Sequence, residues 1–317
     1  MSTCLVTGCA GFIGSHVCEA LLTKGLKVIG IDCLTDFYPA GRKRANLAPL
    51  LSSPGFQWIE ADLYAMDLPS VLAKVDRVFH LAARAGVRSS WGESFDLYIR
   101  ENMGVTQRLL EACRTARIER FVNASSSSVY GNTPDLPARE DSRLQPASPY
   151  GVTKLAAEKL CDVYRSEMGV PAVSLRLFTV FGPRQRPDMA FDRFIRAGLS
   201  GDPIHIYGDG SQVRNFTYVS DVADAFLLAA ERECPSGVYN IGGGCTVRLS
   251  EVLAFIEESL GRALNLHFEP KAAGDVNATD ADTSLAHHEI GFSPKITWKE
   301  GILRQIEWIR NSQASCC

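Results

Sequence analysis

Tyr150 and Lys154, in the run Tyr-Gly-Val-Thr-Lys, are the side chains best placed by type and spacing to move a proton. Residues four apart share a helix face, so the Lys154 ammonium can lie beneath the Tyr150 phenol. A phenol titrates near pH ~10 and is a poor base at neutral pH, but a nearby cation favours its ionised form. Such a tyrosine can take a proton from a hydroxyl while a hydride leaves the same carbon. A surface pair at this spacing would look no different, so the surrounding elements decide. Ser148-Pro149 before the pair, and Val152, Leu155, Ala156, Leu160, Val163 and Tyr164 at apolar spacing within and after it, predict that a helix starts here.

Upstream, Cys4-Leu5-Val6 reads as a strand, Thr7-Gly8-Cys9-Ala10-Gly11-Phe12-Ile13-Gly14 as a turn, and Val17, Ala20, Leu21 and Leu22 as the buried stripe of a helix. Glycines at 8, 11 and 14 sit where a strand-to-helix turn must bend, approach a pyrophosphate and pack closely. The helix N-terminus then offers free N–H groups and positive dipole to phosphate. The next strand, Lys27 to Ile31, ends at Asp32, an acid placed to accept from a ribose 2′-OH and repel a 2′-phosphate. Lys43 or Arg44 could offset that repulsion. Both read as solvated, so NAD is expected rather than NADP, with Lys43 counted among the cofactor contacts.

Further strands are predicted at Phe56 to Glu60, Val75 to Leu81, Arg120 to Ala124 and Ala172 to Phe178, and a long helix at Leu97 to Arg117 carrying Asn102 near its start. Asp62, just past the third strand, is placed to meet an adenine amino group; Ala82-Ala83 offer a small-residue edge where backbone can approach a cofactor. Ser125 to Ser128 could be a linker, but they follow a predicted parallel strand at its carboxyl end, where doubly wound sheets bind ligands. After about residue 180 the regular alternation stops. The expectation is an α/β protein. A Rossmann-type doubly wound parallel sheet would occupy 1–180, with segments returning near 215–241, and a smaller C-terminal α/β substrate domain would span 181–317, the cleft between them holding substrate.

Composition narrows the function. Hydrophobic residues at 46% and charged residues at 22% are those of a globular protein, and a net charge of −3 lacks the basic footprint of nucleic-acid binding. No apolar run reaches the ~20 residues that span a bilayer, and no secretory leader is evident, so no membrane partner is expected. The 10 cysteines lack Cys-x-x-Cys spacing and fall mostly in predicted core elements, which points to reduced thiols in the cytoplasm. Cys316-Cys317 read as a frayed tail rather than a lipidation signal. The six histidines have no metal-ligand spacing, so no metal is expected.

In order along the chain, TGCAGFIG, Asp32, Asp62, HLAA at 80–83, SSSSVYG at 125–131, YGVTK at 150–154 and GDGSQVRNFTYVSD at 208–221 resemble an extended short-chain dehydrogenase/reductase of the NAD-dependent epimerase/dehydratase family. FTVFGPRQRPDMAF at 178–191 and AGVRSSWG at 85–92 are similar to the UDP-glucuronate 4-epimerase branch. The resemblance implies Tyr150 as base, Lys154 as the partner that lowers its pKa, and Ser126 as a hydroxyl bonding the sugar O4. It implies cofactor contacts at Gly8, Gly11, Phe12, Ile13, Gly14, Asp32, Lys43, Asp62, Leu63, Leu81, Ala82, Ala83 and Asn102, besides Tyr150 and Lys154. Substrate contacts would be Ser126, Ser127, Thr179 in the sugar pocket, Arg214 on the UDP diphosphate, Arg186 on the uronate carboxylate, and Asp275. Arg88 would support the carboxylate pocket. At 271–275 the chain reads Lys-Ala-Ala-Gly-Asp where many relatives carry an arginine and a proline, so a second diphosphate arginine is missing there. A homodimer joined through the helices at 97–117 and 150–168 is also implied.

The implied chemistry is a transient oxidation at C4 of a UDP-sugar, rotation of the 4-keto ring about its diphosphate, and re-reduction on the other face. A uronate adds a hazard, because a 4-keto uronate is a β-keto acid that loses CO₂ when C5–C6 aligns with the carbonyl π system. A bidentate guanidinium fixes a carboxylate's plane as well as its place, the task expected of Arg186. Decarboxylases and 4,6-dehydratases of the family carry a Glu two residues before the Tyr-Gly of their serine motif, and the dehydratases an Asp before it. Here Ser128 and Ser127 stand there. The alternatives are a neutral-sugar epimerase (UDP-glucose or UDP-N-acetylhexosamine), a UDP-glucuronate decarboxylase, and a non-catalytic NAD(H) sensor.

Overall fold

Short apolar runs alternating with amphipathic helices close into one parallel sheet. In the computed structural model, residues 2–271 and 274–314 are described; the pairs Ala272-Ala273 and Cys316-Cys317 lie outside them. β1 (Thr3–Thr7), β2 (Lys27–Asp32), β3 (Phe56–Glu60), β4 (Arg77–His80), β5 (Arg120–Ser126), β6 (Ala172–Leu177) and a strand at Val238–Ile241 form a 7-stranded sheet. Their order is Val238–Ile241, β6, β5, β4, β1, β2, β3, and every pairing is parallel. The winding reverses between β1 and β4, where a doubly wound sheet opens a crevice at its carboxyl edge.

The helices that matter are α1 (Phe12–Thr23), α2 (Ala40–Leu51), α3 (Leu68–Leu72), α4 (Phe95–Tyr98), α5 (Val105–Thr115) and α6 (Pro149–Met168). α6 starts as expected: Pro149 needs no N–H partner in the first turn, and Ser148 Oγ accepts from Gly151 N at 3.1 Å. Gly169 closes it in the left-handed region at φ 68°. The single helix expected over 97–117 is instead three pieces, with a π-helical stretch at Ile99–Gly104 between α4 and α5. This widened turn holds Asn102, whose amide bonds chain on two sides of it, a local tie that apolar periodicity does not register.

Apolar cores fill both faces of the sheet. One gathers Val17 and Leu21 of α1 with Phe181, Phe226 and Ile302, so the C-terminal third packs into the same core as the glycine-turn helix. The other gathers Leu109 and Leu110 of α5 with Cys161 of α6. Between β6 and α6, Arg176 donates from Nε and Nη2 to the Glu158 carboxylate at 3.0 and 2.7 Å, and Ser125 Oγ donates to the same carboxylate at 2.6 Å. Arg176 and Glu158 are fully buried; losing one partner of such a pair costs about 3–5 kcal/mol. This network ties α6 to the serine-rich end of β5.

Among the described residues no cluster of His, Cys, Asp and Glu could hold a metal, and no helix is long and apolar enough to cross a membrane. Six described cysteines are buried free thiols, but Cys33 and Cys245 are exposed, against the expectation that the cysteines lie in the core. Both lie in loops after β2 and after the Val238–Ile241 strand, where no apolar layer covers them.

Candidate active site

The crevice over β1 and β4 is a cavity of about 520 Å³ whose floor is the glycine turn. Gly8 adopts φ +71°, and a Cβ there would lie 2.8 Å from Ala82 N; a Cβ at Gly14 would lie 2.2 Å from Gly8 O. The first and third glycines are therefore required by the bend and by close helix–strand packing. Gly11 precedes α1 and offers it no side-chain cap, leaving the first N–H groups of the helix at the cavity as an anion seat. Thr7 Oγ1 accepts from Leu81 N and Ala82 N at 3.2 and 3.1 Å, holding the small-residue edge against the turn.

Asp32 lines the cavity at the end of β2, its carboxylate accepting from Ala10 N at 3.2 Å and Leu34 N at 2.8 Å. Burial raises its pKa, and the Lys43 ammonium works against that rise. Lys43 is not solvated as expected: it is buried, lines the cavity, and donates to Thr35 O at 2.9 Å and Thr35 Oγ1 at 3.0 Å. The turn after β2 folds over α2 and covers it; Arg44 is the solvated member of the pair, beside Glu60. Asp62 and Leu63 also line the cavity, with Asp62 Oδ1 accepting from Tyr64 N at 2.9 Å and its other oxygen paired to Arg100. Phe12, Ile13, Gly11, Leu81 and Ala83 complete this wall.

Asn102 does not face the cavity. It is buried, accepts from Arg84 N at 2.7 Å, and donates to Arg84 O and Thr153 Oγ1, both at 3.0 Å. It clamps the loop after β4 to α6, a supporting place rather than the contact expected.

Ser126, Ser127, Tyr150, Lys154, Thr179 and Arg186 converge on the other end of the cavity. Ser126 ends β5, and its Oγ accepts from Ser128 N at 3.1 Å, which turns the serine run toward the crevice. Tyr98, which no spacing in the sequence singled out, packs edge-on against Tyr150 with centroids 6.4 Å apart. Its hydroxyl pairs with Ser89 Oγ at 2.7 Å and lies 3.1 Å from the Ala85 and Gly86 carbonyls, so it braces the loop over the site.

The electrostatics of the pair differ from expectation. Burial raises the Tyr150 pKa; the groups opposing that rise are the Ser126 hydroxyl and the Arg186 cation. Lys154 is not among the groups that oppose it; Lys154 is itself buried, and burial brings it from 10.5 down to about 8.

Arg186 sits on a pinned loop. Gln185 donates from Nε2 to Val180 O at 3.1 Å, and Gln305 Oε1 accepts from Gly182 N at 3.0 Å. Arg184, at φ 65°, bonds Ser15 Oγ at 3.2 Å and the Glu19 carboxylate at 2.5 Å, fastening the loop to α1. Arg186 Nε and Nη2 donate to the two oxygens of Asp188 at 3.0 and 2.9 Å. Burial works against the Arg186 charge, but Asp188 outweighs it and holds the guanidinium above its ordinary value.

Arg88, expected beside Arg186, lies elsewhere. It stacks 4.0 Å over the Tyr207 ring and donates to Asp275 at 2.7 Å, outside the cavity wall. Arg214 belongs to this second cluster: burial lowers its pKa, with Asp275 opposing and Arg88 adding to the fall. Its Nη2 donates to Val276 O at 2.7 Å. A salt bridge across 187 residues pulls Arg88 there, a pairing that no local pattern discloses.

A glycine-turn dinucleotide crevice meeting a Ser–Tyr–Lys set defines a short-chain dehydrogenase/reductase-type site. The chain belongs to the NAD dependent epimerase/dehydratase family, whose family model matches residues 4–242. It is 41% identical to the UDP-glucuronic acid 4-epimerase from Bacillus cereus, solved with UDP-glucuronic acid and NAD, with a TM-score of 0.95 over 98% of this chain and 99% of that one. MoeE5, solved with UDP-glucuronic acid and NAD, is 42% identical with a TM-score of 0.88 over 98% of this chain and 100% of that one. A Bacillus subtilis relative described as the uncharacterized UDP-glucose epimerase YtcB is 47% identical over 96% of this chain and 97% of its own length.

Proposed function

We propose that this chain is an NAD-dependent isomerase that inverts C4 of UDP-glucuronate to give UDP-galacturonate. The observation that carries the reading is the half-buried Arg186 guanidinium in one cavity with Tyr150, Ser126 and Thr179. A uronate carboxylate matches the edge of that guanidinium that Asp188 leaves open, whereas a neutral pyranose offers it no charge. The two solved relatives bound to UDP-glucuronic acid and NAD support the same choice.

The residues present fit NAD: the uncapped α1 N-terminus suits its pyrophosphate, Asp32 an adenosine ribose, and Asp62 with Leu63 the adenine. Bound NAD⁺ supplies a reversible hydride acceptor and a positive charge in addition to that of Arg186. Tyr150 takes the O4 proton and later returns it. Ser126 holds O4 in line with the phenol, and Lys154, buried beneath, stabilises the phenolate when charged. The ketone forms only while the proton is on Tyr150, and the ring turns over before the proton goes back. Arg214 holds the diphosphate, and Arg88 brings a second guanidinium to it, in place of the arginine missing at 271–275. Ser127 and Ser128 contribute no acid or base, which disfavours decarboxylation and dehydration.

A neutral-sugar epimerase is the second reading, favoured by the Bacillus subtilis relative and by Asp188 already neutralising Arg186. A cytoplasmic homodimer is part of the proposal. Val152 and Val163 on α6 are 49 and 53% exposed, and Leu97 and Ile99 38 and 41%, an apolar stripe suited to a second copy of the chain. The buried free thiols suit a reducing compartment. Incubation with UDP-glucuronate, followed by NMR of the sugar, tests the function. UDP-galacturonate with the carboxylate retained is expected; no C4 inversion, or release of C6 as CO₂, rejects it.

A further inference from the structure

Arg186 has five N–H groups on a planar fork, and Asp188 occupies one edge of it through Nε and Nη2, at 3.0 and 2.9 Å. The end-on edge, made by Nη1 and the second Nη2 proton, remains for a ligand. Two carboxylates on the two edges of one guanidinium both favour its plane. The turn that carries the pair is short, with Met189 N donating to Arg186 O at 3.1 Å, so both side chains stand on one hydrogen-bonded turn. Phe37 backs the guanidinium, its ring centroid 5.6 Å away.

We infer, on the uronate reading above, that Asp188 is the positioning residue that sets the plane of the substrate's C6 carboxylate through Arg186. Its function is to keep C5–C6 out of alignment with the C4 carbonyl. Asp188 does this at a cost in affinity, since its charge cancels that of Arg186 and leaves the arriving carboxylate facing a neutral pair. When the plane is lost, the C5–C6 bond breaks, its electron pair enters the C4–C5 enolate, and CO₂ departs. Water then protonates C5, and the hydride taken from C4 stays on the dinucleotide as NADH.

The test is Asp188→Asn, nearly isosteric at a side chain 43% exposed, assayed beside wild type on UDP-glucuronate and UDP-glucose. The expected result is a KM for UDP-glucuronate about 3-fold lower, a kcat about 10-fold lower, measurable CO₂ from C6-labelled substrate with matching NADH, and UDP-glucose turnover within about 2-fold of wild type. Asp188→Ala, which removes the fork, should release more CO₂ still. A purely structural role would raise KM or depress both substrates alike with no CO₂, and either outcome overturns the inference. If wild type itself leaves UDP-glucuronate unchanged, the functional reading fails and takes this with it. If wild type epimerises it and Asp188→Asn does the same without leakage, only this inference fails.

Discussion

The dinucleotide side of the cleft is made largely of backbone: a glycine turn, the N–H groups opening α1, and the ends of β1, β2 and β4. The side proposed to take the UDP-sugar is made of long side chains, with Arg186 fastened through Asp188, Arg88 through Asp275, and Arg214 through carbonyls some 60 residues away in the chain. Backbone sites follow from local sequence, because a tight bend or a close approach needs glycine at set spacing. Side-chain sites depend on which distant partner claims each charge. The first kind serves many reactions, and the second selects among them.

Tyr150 stands where the two sides meet, so changing it separates them most. Tyr150→Phe should lower kcat by about 10³-fold, within the range of general acid–base catalysis, while bound NAD and the affinity for UDP stay as in wild type. Equal loss of NAD would mean that Tyr150 builds the dinucleotide side rather than joining it to the sugar. Enzyme-bound NAD after purification, together with initial rates, decides between them.

A smaller effect tests burial on the dinucleotide side. Lys154 titrates near 10.5 when exposed and near 8 in the fold. Between about pH 8 and pH 10.5 the unfolded chain therefore binds more protons at this site, and its contribution makes stability rise with pH; below about 8 the cost of the buried charge is constant. Lys154→Met should remove that rise. Melting temperatures of both proteins across the window isolate it, because the buried cysteines, with raised pKa values, act in the opposite direction in both. Parallel curves would mean that Lys154 is not buried when charged.

The sheet, the glycine turn and the start of α6 were legible in the sequence, since each follows from periodicity or capping, and the convergence of Ser126, Tyr150, Lys154, Thr179 and Arg186 is what the family resemblance implied. The π-helical break at Ile99–Gly104 was not, because Asn102 satisfies partners on a strand loop and on α6 that periodicity cannot see. Lys43 reads as a surface cation until the loop over it folds. Arg88 follows the loop that also contributes Val87 to the cavity, yet turns outward because Tyr207 and Asp275 meet it there. Tyr98 has no motif at all; its place beside Tyr150 comes from the packing of α4 on α6.

The most direct test of the central claim is the ratio of kcat/KM for UDP-glucuronate to that for UDP-glucose, measured in wild type and in Arg186→Ala. Loss of a charge-assisted bidentate contact made by one substrate alone predicts that the ratio falls by about 10²-fold, nearly all of it on the uronate. An unchanged ratio, with both substrates losing equally, would contradict the account, because Arg186 would then hold the loop rather than the carboxylate.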